Sequence, residues 1–242
     1  MRPIAGGRCS ICGERLVSPF AWAAEPDQSS TESGETRCGL CRRLEPPYLK
    51  ATAYGSYDGG LRELIHLLKY NGVRPAANVL GRMLAEAMED LQPHFAETEI
   101  LLAPVPLHAR KLRQRGFNQS EMIARSALKL NSAGGRFHLR ANLLERCRET
   151  RSQIGLSRHQ RRENIRGAFK VTNPDEVNGR AVLVVDDVFT TGTTVSECAR
   201  ILRRAGASKV YVATVARTLK TEAQSAIRDS ETETRVAMAA AG

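Results

Sequence analysis

Val182-Leu183-Val184-Val185-Asp186-Asp187-Val188-Phe189-Thr190-Thr191-Gly192-Thr193-Thr194 is the stretch on which the reading of this chain turns. Residues 181–185 form an unbroken, β-branched apolar run, the pattern of a strand buried on both faces. The run ends in two adjacent carboxylates. Residues 190–194 then offer hydroxyls, backbone N–H groups and, at Gly192, a position with no Cβ to keep a ligand off the backbone. The helix that follows, from Thr194, presents its positive N-terminal end to the same loop. Ligands of open parallel sheets bind at such strand-to-helix junctions. A phosphate suits the loop but not the carboxylates, whose fitting partners are the two hydroxyls of a ribose or a bound Mg²⁺. The G-x-x-x-x-G-K-[ST] pattern of a Walker loop is absent. The stretch therefore predicts a phosphorylated-ribose site made by Asp186, Asp187, Thr190, Thr191, Gly192, Thr193 and Thr194.

Outward from this junction the pattern alternates. Residues 193–205 read as a helix stopped by Gly206, and residues 209–215 as another buried strand. Upstream, residues 99–105 are a short apolar strand ended by Pro104 and Pro106. Leu61, Leu64, Ile65 and Leu68 recur at helical spacing within 60–70, as do Leu80, Leu84, Ala87 and Leu91 within 79–91. A third helix is predicted over 119–130, with Asn118 as its cap. Residues 54–57 read as a strand end and turn, and residues 139–169 as basic and poorly periodic. Strands alternating with helices imply an α/β fold with a mostly parallel sheet. Residues 220–242 are polar and then Ala-rich, which reads as frayed helix or a disordered tail.

The 242 residues carry a formal charge of +10, a balance that favours phosphates, nucleotides or nucleic acid as partners. No run approaches the roughly 18 apolar residues of a membrane helix, and a cytoplasmic protein without membrane insertion is the expectation. Four of the six cysteines form two Cys-x-x-Cys pairs, Cys9/Cys12 and Cys38/Cys41. Two matched pairs favour a structural, zinc-ribbon-like four-thiolate Zn²⁺ site over a redox dithiol, because four thiolates leave no open position for catalysis. So short a segment needs such a staple. The predicted organisation is a four-cysteine zinc module over 1–50, a ligand-binding domain over 51–219 and the tail over 220–242, with Pro46-Pro47 at the first boundary.

The acidic pair with its Thr loop resembles the phosphoribosyl pyrophosphate (PRPP) motif of type I phosphoribosyltransferases. More specifically, the chain resembles the ComF/GntX family. Leu68-Lys69-Tyr70-Asn71-Gly72, Pro104-Val105-Pro106-Leu107-His108, Arg115-Gly116-Phe117-Asn118-Gln119, the stretch 153–169 with Arg162 and Asn164, and Val215-Ala216-Arg217 carry that resemblance over nearly the whole chain to about residue 217. It implies a type I phosphoribosyltransferase fold and Mg²⁺ bound with PRPP. It also implies pyrophosphate contacts from the loop at Val105 and Pro106, with Lys69 as a further candidate PRPP contact. A closing basic loop over 151–166 is implied as well, with Arg162 and Asp187 as the residues serving the reaction. A hood over the attacking base is expected within 54–72. No residue set names the acceptor, and a general base is not evident, with His108 the only candidate singled out.

The same family resemblance implies a second reading. It places such proteins in DNA uptake during natural transformation, with single-stranded DNA and a helicase-like competence protein as partners. Arg110, Lys111, Arg113 and Arg115 form a dense basic run beside Phe117, which suits backbone tracking and base stacking. A solvated basic helix or loop explains the run equally well. The two readings are thus a Mg²⁺-dependent phosphoribosyltransferase of unassigned acceptor and a non-catalytic DNA-binding protein on the same fold.

Overall fold

The computed structural model describes residues 7–16, 36–130, 135–150 and 157–219. Residues 1–6, 17–35, 131–134, 151–156 of the predicted closing loop and the predicted tail over 220–242 lie outside it. Five parallel strands form the main sheet: β1 (Lys50–Ser56), β2 (Ile100–Pro104), β3 (Phe137–Leu139), β6 (Ala181–Phe189) and β7 (Lys209–Arg217), in the order β1-β7-β6-β2-β3. Two short strands, β4 (Leu144–Arg146) and β5 (Phe169–Val171), pair antiparallel beside it. The junction strand β6 is thus the middle strand, flanked by β7 and β2 and buried on both faces, as its apolar run predicted.

Alternation along β6 feeds two cores. Leu183 and Val185 join the layer made with helices α2 (Gly59–Asn71), α3 (Ala76–Glu89) and α5 (Gln119–Leu130). Val182, Val184 and Phe189 join the opposite layer, with α8 (Thr193–Arg204). The α3–α5 crossing is close because Gly81 has no side chain: a Cβ there would stand 2.4 Å from the Ser126 Cβ. Cys9, Ile11, Cys12, Cys38, Cys41 and Tyr48 belong to the α8-side core together with Val182 and Val212. The cysteine turns are therefore packed onto the sheet, and the Ala51 N–H donates to the Ile11 carbonyl at 2.6 Å.

Several boundaries differ from the sequence reading. Strand β6 does not end at the acidic pair but continues to Phe189, because β7 pairs with it as far as Phe189 opposite Arg217. The basic run becomes a helix, α4 (Ala109–Arg115), closed by Gly116 at φ +79°. The poorly periodic stretch holds β4, another helix, α6 (Arg158–Ile165), and the start of β5, which returns to pair with β4. That helix starts on a reciprocal cap in which Ser157 and Gln160 satisfy each other's backbone N–H groups. Residues 158–165 of the predicted closing loop are therefore helical.

Candidate functional site

The acidic pair is held by three different elements. Asp186 Oδ1 accepts from Ser120 Oγ of α5 at 2.9 Å and from the Asp187 N–H at 2.9 Å. Asp187 Oδ1 accepts from the Val188 N–H at 2.8 Å, while Oδ2 forms an ion pair with Nζ of Lys69 from α2. Asp187 is only 4% exposed. Burial, then the charge of Asp187, raises the Asp186 carboxyl to about 7, although Lys69 and the Ser120 hydroxyl oppose the rise. Burial lowers the Lys69 ammonium, but Asp187 and Asp186 more than offset it, and its pKa lies above the ordinary value. Lys69 thus meets a carboxylate of the acidic pair.

The loop that follows packs against the end of its own strand. Gly192 caps α8 at φ +73°, a conformation that disfavours side chains, and a Cβ there would stand 2.5 Å from Cζ of Phe189. The hydroxyls of Thr191 and Thr193 lie 2.7 Å apart. Thr190 is exposed and Thr193 is buried at the head of α8, with Thr194 next in the helix. The five loop residues therefore surround the N-terminal end of a twelve-residue helix, beside the acidic pair.

The Arg115–Gln119 stretch proves to be a positioning device. Asn118 caps α5 by accepting the Ser120 N–H at 3.0 Å, and its amide donates to the Val105 carbonyl at 3.1 Å. It therefore ties α5 to the loop after β2, one residue pair away from the serine that holds Asp186. The Val105 N–H already donates to the Val185 carbonyl at 2.8 Å, and Pro106 has none to give. The backbone donors left in that loop are those of Leu107 and His108.

Sequence reasoning missed Ser120 and Arg146, and it gave Lys111 only to the basic run. Lys111 of α4 is exposed, yet partial desolvation and then the like charges of Arg115, Lys69 and Arg146 lower its pKa. Arg146 of β4 is lowered by burial, with Asp186 acting against it. The charges of Lys69, Lys111 and Arg146, carried on elements far apart in sequence, act on one another and on the acidic pair. Phe117, the candidate stacking ring, is half-buried under the Arg74 guanidinium at 5.5 Å. Tyr70 is the more open ring, 67% exposed with Arg115 at 5.8 Å. Arg162 sits on the exposed side of α6, lining a cavity of about 640 Å³ that also touches Thr190, Thr191 and Thr193. It makes no contact with Asp186 or Asp187 among the described residues. His108 Nδ1 is buried without a hydrogen-bond partner.

The second constellation is the thiol cluster. The sulfurs of Cys9, Cys12, Cys38 and Cys41 all lie within 4.8 Å of one another, and all four residues are buried. Cys12 Sγ and Cys38 Sγ are 3.7 Å apart, close to the about 3.8 Å edge of a tetrahedron with roughly 2.3 Å zinc–sulfur bonds. The donor set and spacing fit a zinc ion. Cys147 is exposed and Cys198 is buried elsewhere, and neither joins the cluster.

The chain is similar to several known proteins. The model of the phosphoribosyl transferase domain matches residues 143–239. The DNA utilization protein YhgH of Escherichia coli K12 is 32% identical over 88% of this chain and 91% of its own. Competence protein F of Haemophilus influenzae is 30% identical over 87% of this chain and 90% of its own. A solved glutamine PRPP amidotransferase from B. subtilis, complexed with ADP and GMP, is 26% identical over 58% of this chain and 26% of its own, with a TM-score of 0.34. No helix among the described residues is long and apolar enough to cross a membrane. The chain belongs to the ComF/GntX family, and its core has the type I phosphoribosyltransferase fold.

Proposed function

We propose that this protein binds PRPP, or a closely related ribose phosphate, together with Mg²⁺ at the end of β6. One observation carries the reading: Asp186 and Asp187 lie among the last residues of the middle parallel strand, which ends at Phe189 and leads into a glycine-capped Thr loop at the head of α8. Asp186 and Asp187 would accept from the ribose hydroxyls. Thr190, Thr191, Gly192, Thr193 and Thr194 would cradle the 5-phosphate with hydroxyls and N–H groups. At the other end of the sugar, the Leu107 and His108 N–H groups and the ammonium of Lys111 would face the diphosphate. Bound Mg²⁺ would neutralise charge that builds on the diphosphate as its bond to the sugar breaks.

Arg162 approaches from the Thr-loop side in this reading, and Lys69 must exchange Asp187 for ligand oxygens when the sugar binds. The four cysteines hold a structural zinc, with residues 1–50 as a zinc module, 51–219 as the phosphoribosyltransferase domain and 220–242 as a tail. Thiolate ligands are kept reduced in a cytoplasmic compartment, which is where we place the protein. Whether phosphoribosyl is then transferred turns on an acceptor, and a turnover assay with PRPP and candidate bases tests that step by pyrophosphate release. Titration with PRPP and Mg²⁺ tests the binding step.

A second reading rests on the relatives named for DNA utilization and competence. In it the protein handles single-stranded DNA alongside a helicase-like partner, using the exposed basic side of α4. Arg110, Lys111 and Arg113 are exposed there. Affinity for single-stranded DNA should then fall steeply with salt. A flat salt dependence would remove this reading and leave the sugar-phosphate one intact.

A further inference from the structure

Arg217, the last residue of β7, is 3% exposed and stands between the two constellations. Its Nη1 donates to the Cys12 carbonyl, and its Nη2 reaches Cys12 Sγ at 3.7 Å and Glu14 Oε2 at 2.6 Å. The central carbon of the same guanidinium lies over the Phe189 ring, 4.5 Å from its centroid. Phe189 is opposite Arg217 in the β6–β7 register, and its ring edge fills the space that any Gly192 side chain would need. The Thr218 N–H donates to the Phe189 carbonyl at 3.0 Å, which fixes the ring's backbone from the same strand end. An unbroken path of contacts therefore runs from Cys12 through Arg217 and Phe189 to Gly192.

We propose that Arg217 is a positioning residue that couples the four-cysteine site to the phosphate loop. The inference rests on the zinc and ribose-phosphate readings for its meaning, but its geometry is independent of both. With a metal bound, Cys12 is a fixed thiolate that accepts from Arg217, as groups around metal ligands commonly do. The fixed guanidinium then clamps Phe189 by cation–π attraction and packing. The clamped ring gives the Gly192 turn one shape. Without the metal, Cys12 and Glu14 lose their fixed places, Arg217 loses its anchor, and the loop gains freedom. Such coupling is reciprocal: whatever orders the loop also strengthens metal binding.

The test uses hydrogen exchange of the full-length protein, read at residues 189–194, with and without a zinc chelator. Strand β2 serves as the internal control. In the wild type, chelation should speed exchange in the loop about tenfold, the worth of one hydrogen bond to a charged group. Arg217→Met should exchange fast with metal present and should not respond further to chelator. Its zinc affinity should fall by roughly 10- to 100-fold. Arg217→Lys should restore part of both. A wild-type loop indifferent to chelator, or an Arg217→Met loop that responds as the wild type does, would overturn the coupling. If Arg217→Met loses its fold, Phe189→Leu replaces it, with zinc retained and the response of the loop to chelator lost; an undiminished response would overturn the coupling equally. A parallel titration with ribose 5-phosphate keeps the two ideas apart. Binding that ignores the chelator contradicts the coupling alone, whereas absence of binding contradicts the ribose-phosphate reading alone.

Discussion

Nζ of Lys69 on α2 is ion-paired with Oδ2 of Asp187 at the end of β6, and the two side chains are only 17% and 5% exposed. A cation thus covers the carboxylate that the proposed function assigns to the sugar. Removing one partner strands a buried charge, which typically costs about 3–5 kcal/mol, while removing both costs far less. Lys69→Met should therefore destabilise the protein strongly in urea. Adding Asp187→Asn to it should recover most of that loss. Additive losses would show that the pair is not energetically coupled.

Asp186 gives the site a pH dependence. Folding raises its pKa from 3.8 to about 7, so the folded state holds the extra proton. That contribution to stability is complete below about pH 4 and is lost as pH rises through about 7. The stability of Asp186→Asn should accordingly change less between pH 5 and pH 8 than that of the wild type, by roughly 1–4 kcal/mol. Metal binding favours the carboxylate, so the affinity for Mg²⁺ with PRPP should rise over the same range. Parallel stability profiles for the two proteins would contradict the assignment.

Gly192→Ala meets two obstacles, the positive φ and the Phe189 ring. Together these should cost about 1–3 kcal/mol of stability, measured by thermal unfolding. Ribose 5-phosphate affinity should fall further than that of Ser196→Ala, a substitution one turn into α8. Equal effects would mean that the turn does not shape the loop.

Metal analysis of the purified protein should find about one zinc per chain, and Cys9→Ser should lower both the zinc content and the melting temperature. Cys147→Ser, outside the cluster, should change neither. Full zinc retention by Cys9→Ser would remove that cysteine from the ligand set.

The fold was legible wherever burial imposed a period. Residues 181–185 and 209–215 announced strands buried on both faces, and the helices of 60–70 and 119–130 agree with α2 and α5 within about two residues. The cysteine cluster was legible because Cys-x-x-Cys turns place two sulfurs together by local geometry. What escaped depends on contacts distant in sequence. Ser120 reaches Asp186 only after α5 docks beside β6, and nothing in the sequence 119–130 marks that serine. Arg146 arrives on a three-residue strand too short to show a period. The commitment of the Val105 N–H to the sheet could not be read from two prolines. Residues 158–165 looked like a basic loop because that helix is almost wholly polar, and its Ser157–Gln160 cap was the overlooked signal.

Calorimetric titration with PRPP in the presence of Mg²⁺ tests the central claim most directly, comparing the wild type with Asp187→Asn. The wild type should bind with one site per chain, and the variant should lose affinity by at least about tenfold, the worth of a hydrogen bond to a charged group. No binding heat in the wild type, or equal affinity in the two proteins, would contradict a ribose-phosphate site at Asp186-Asp187.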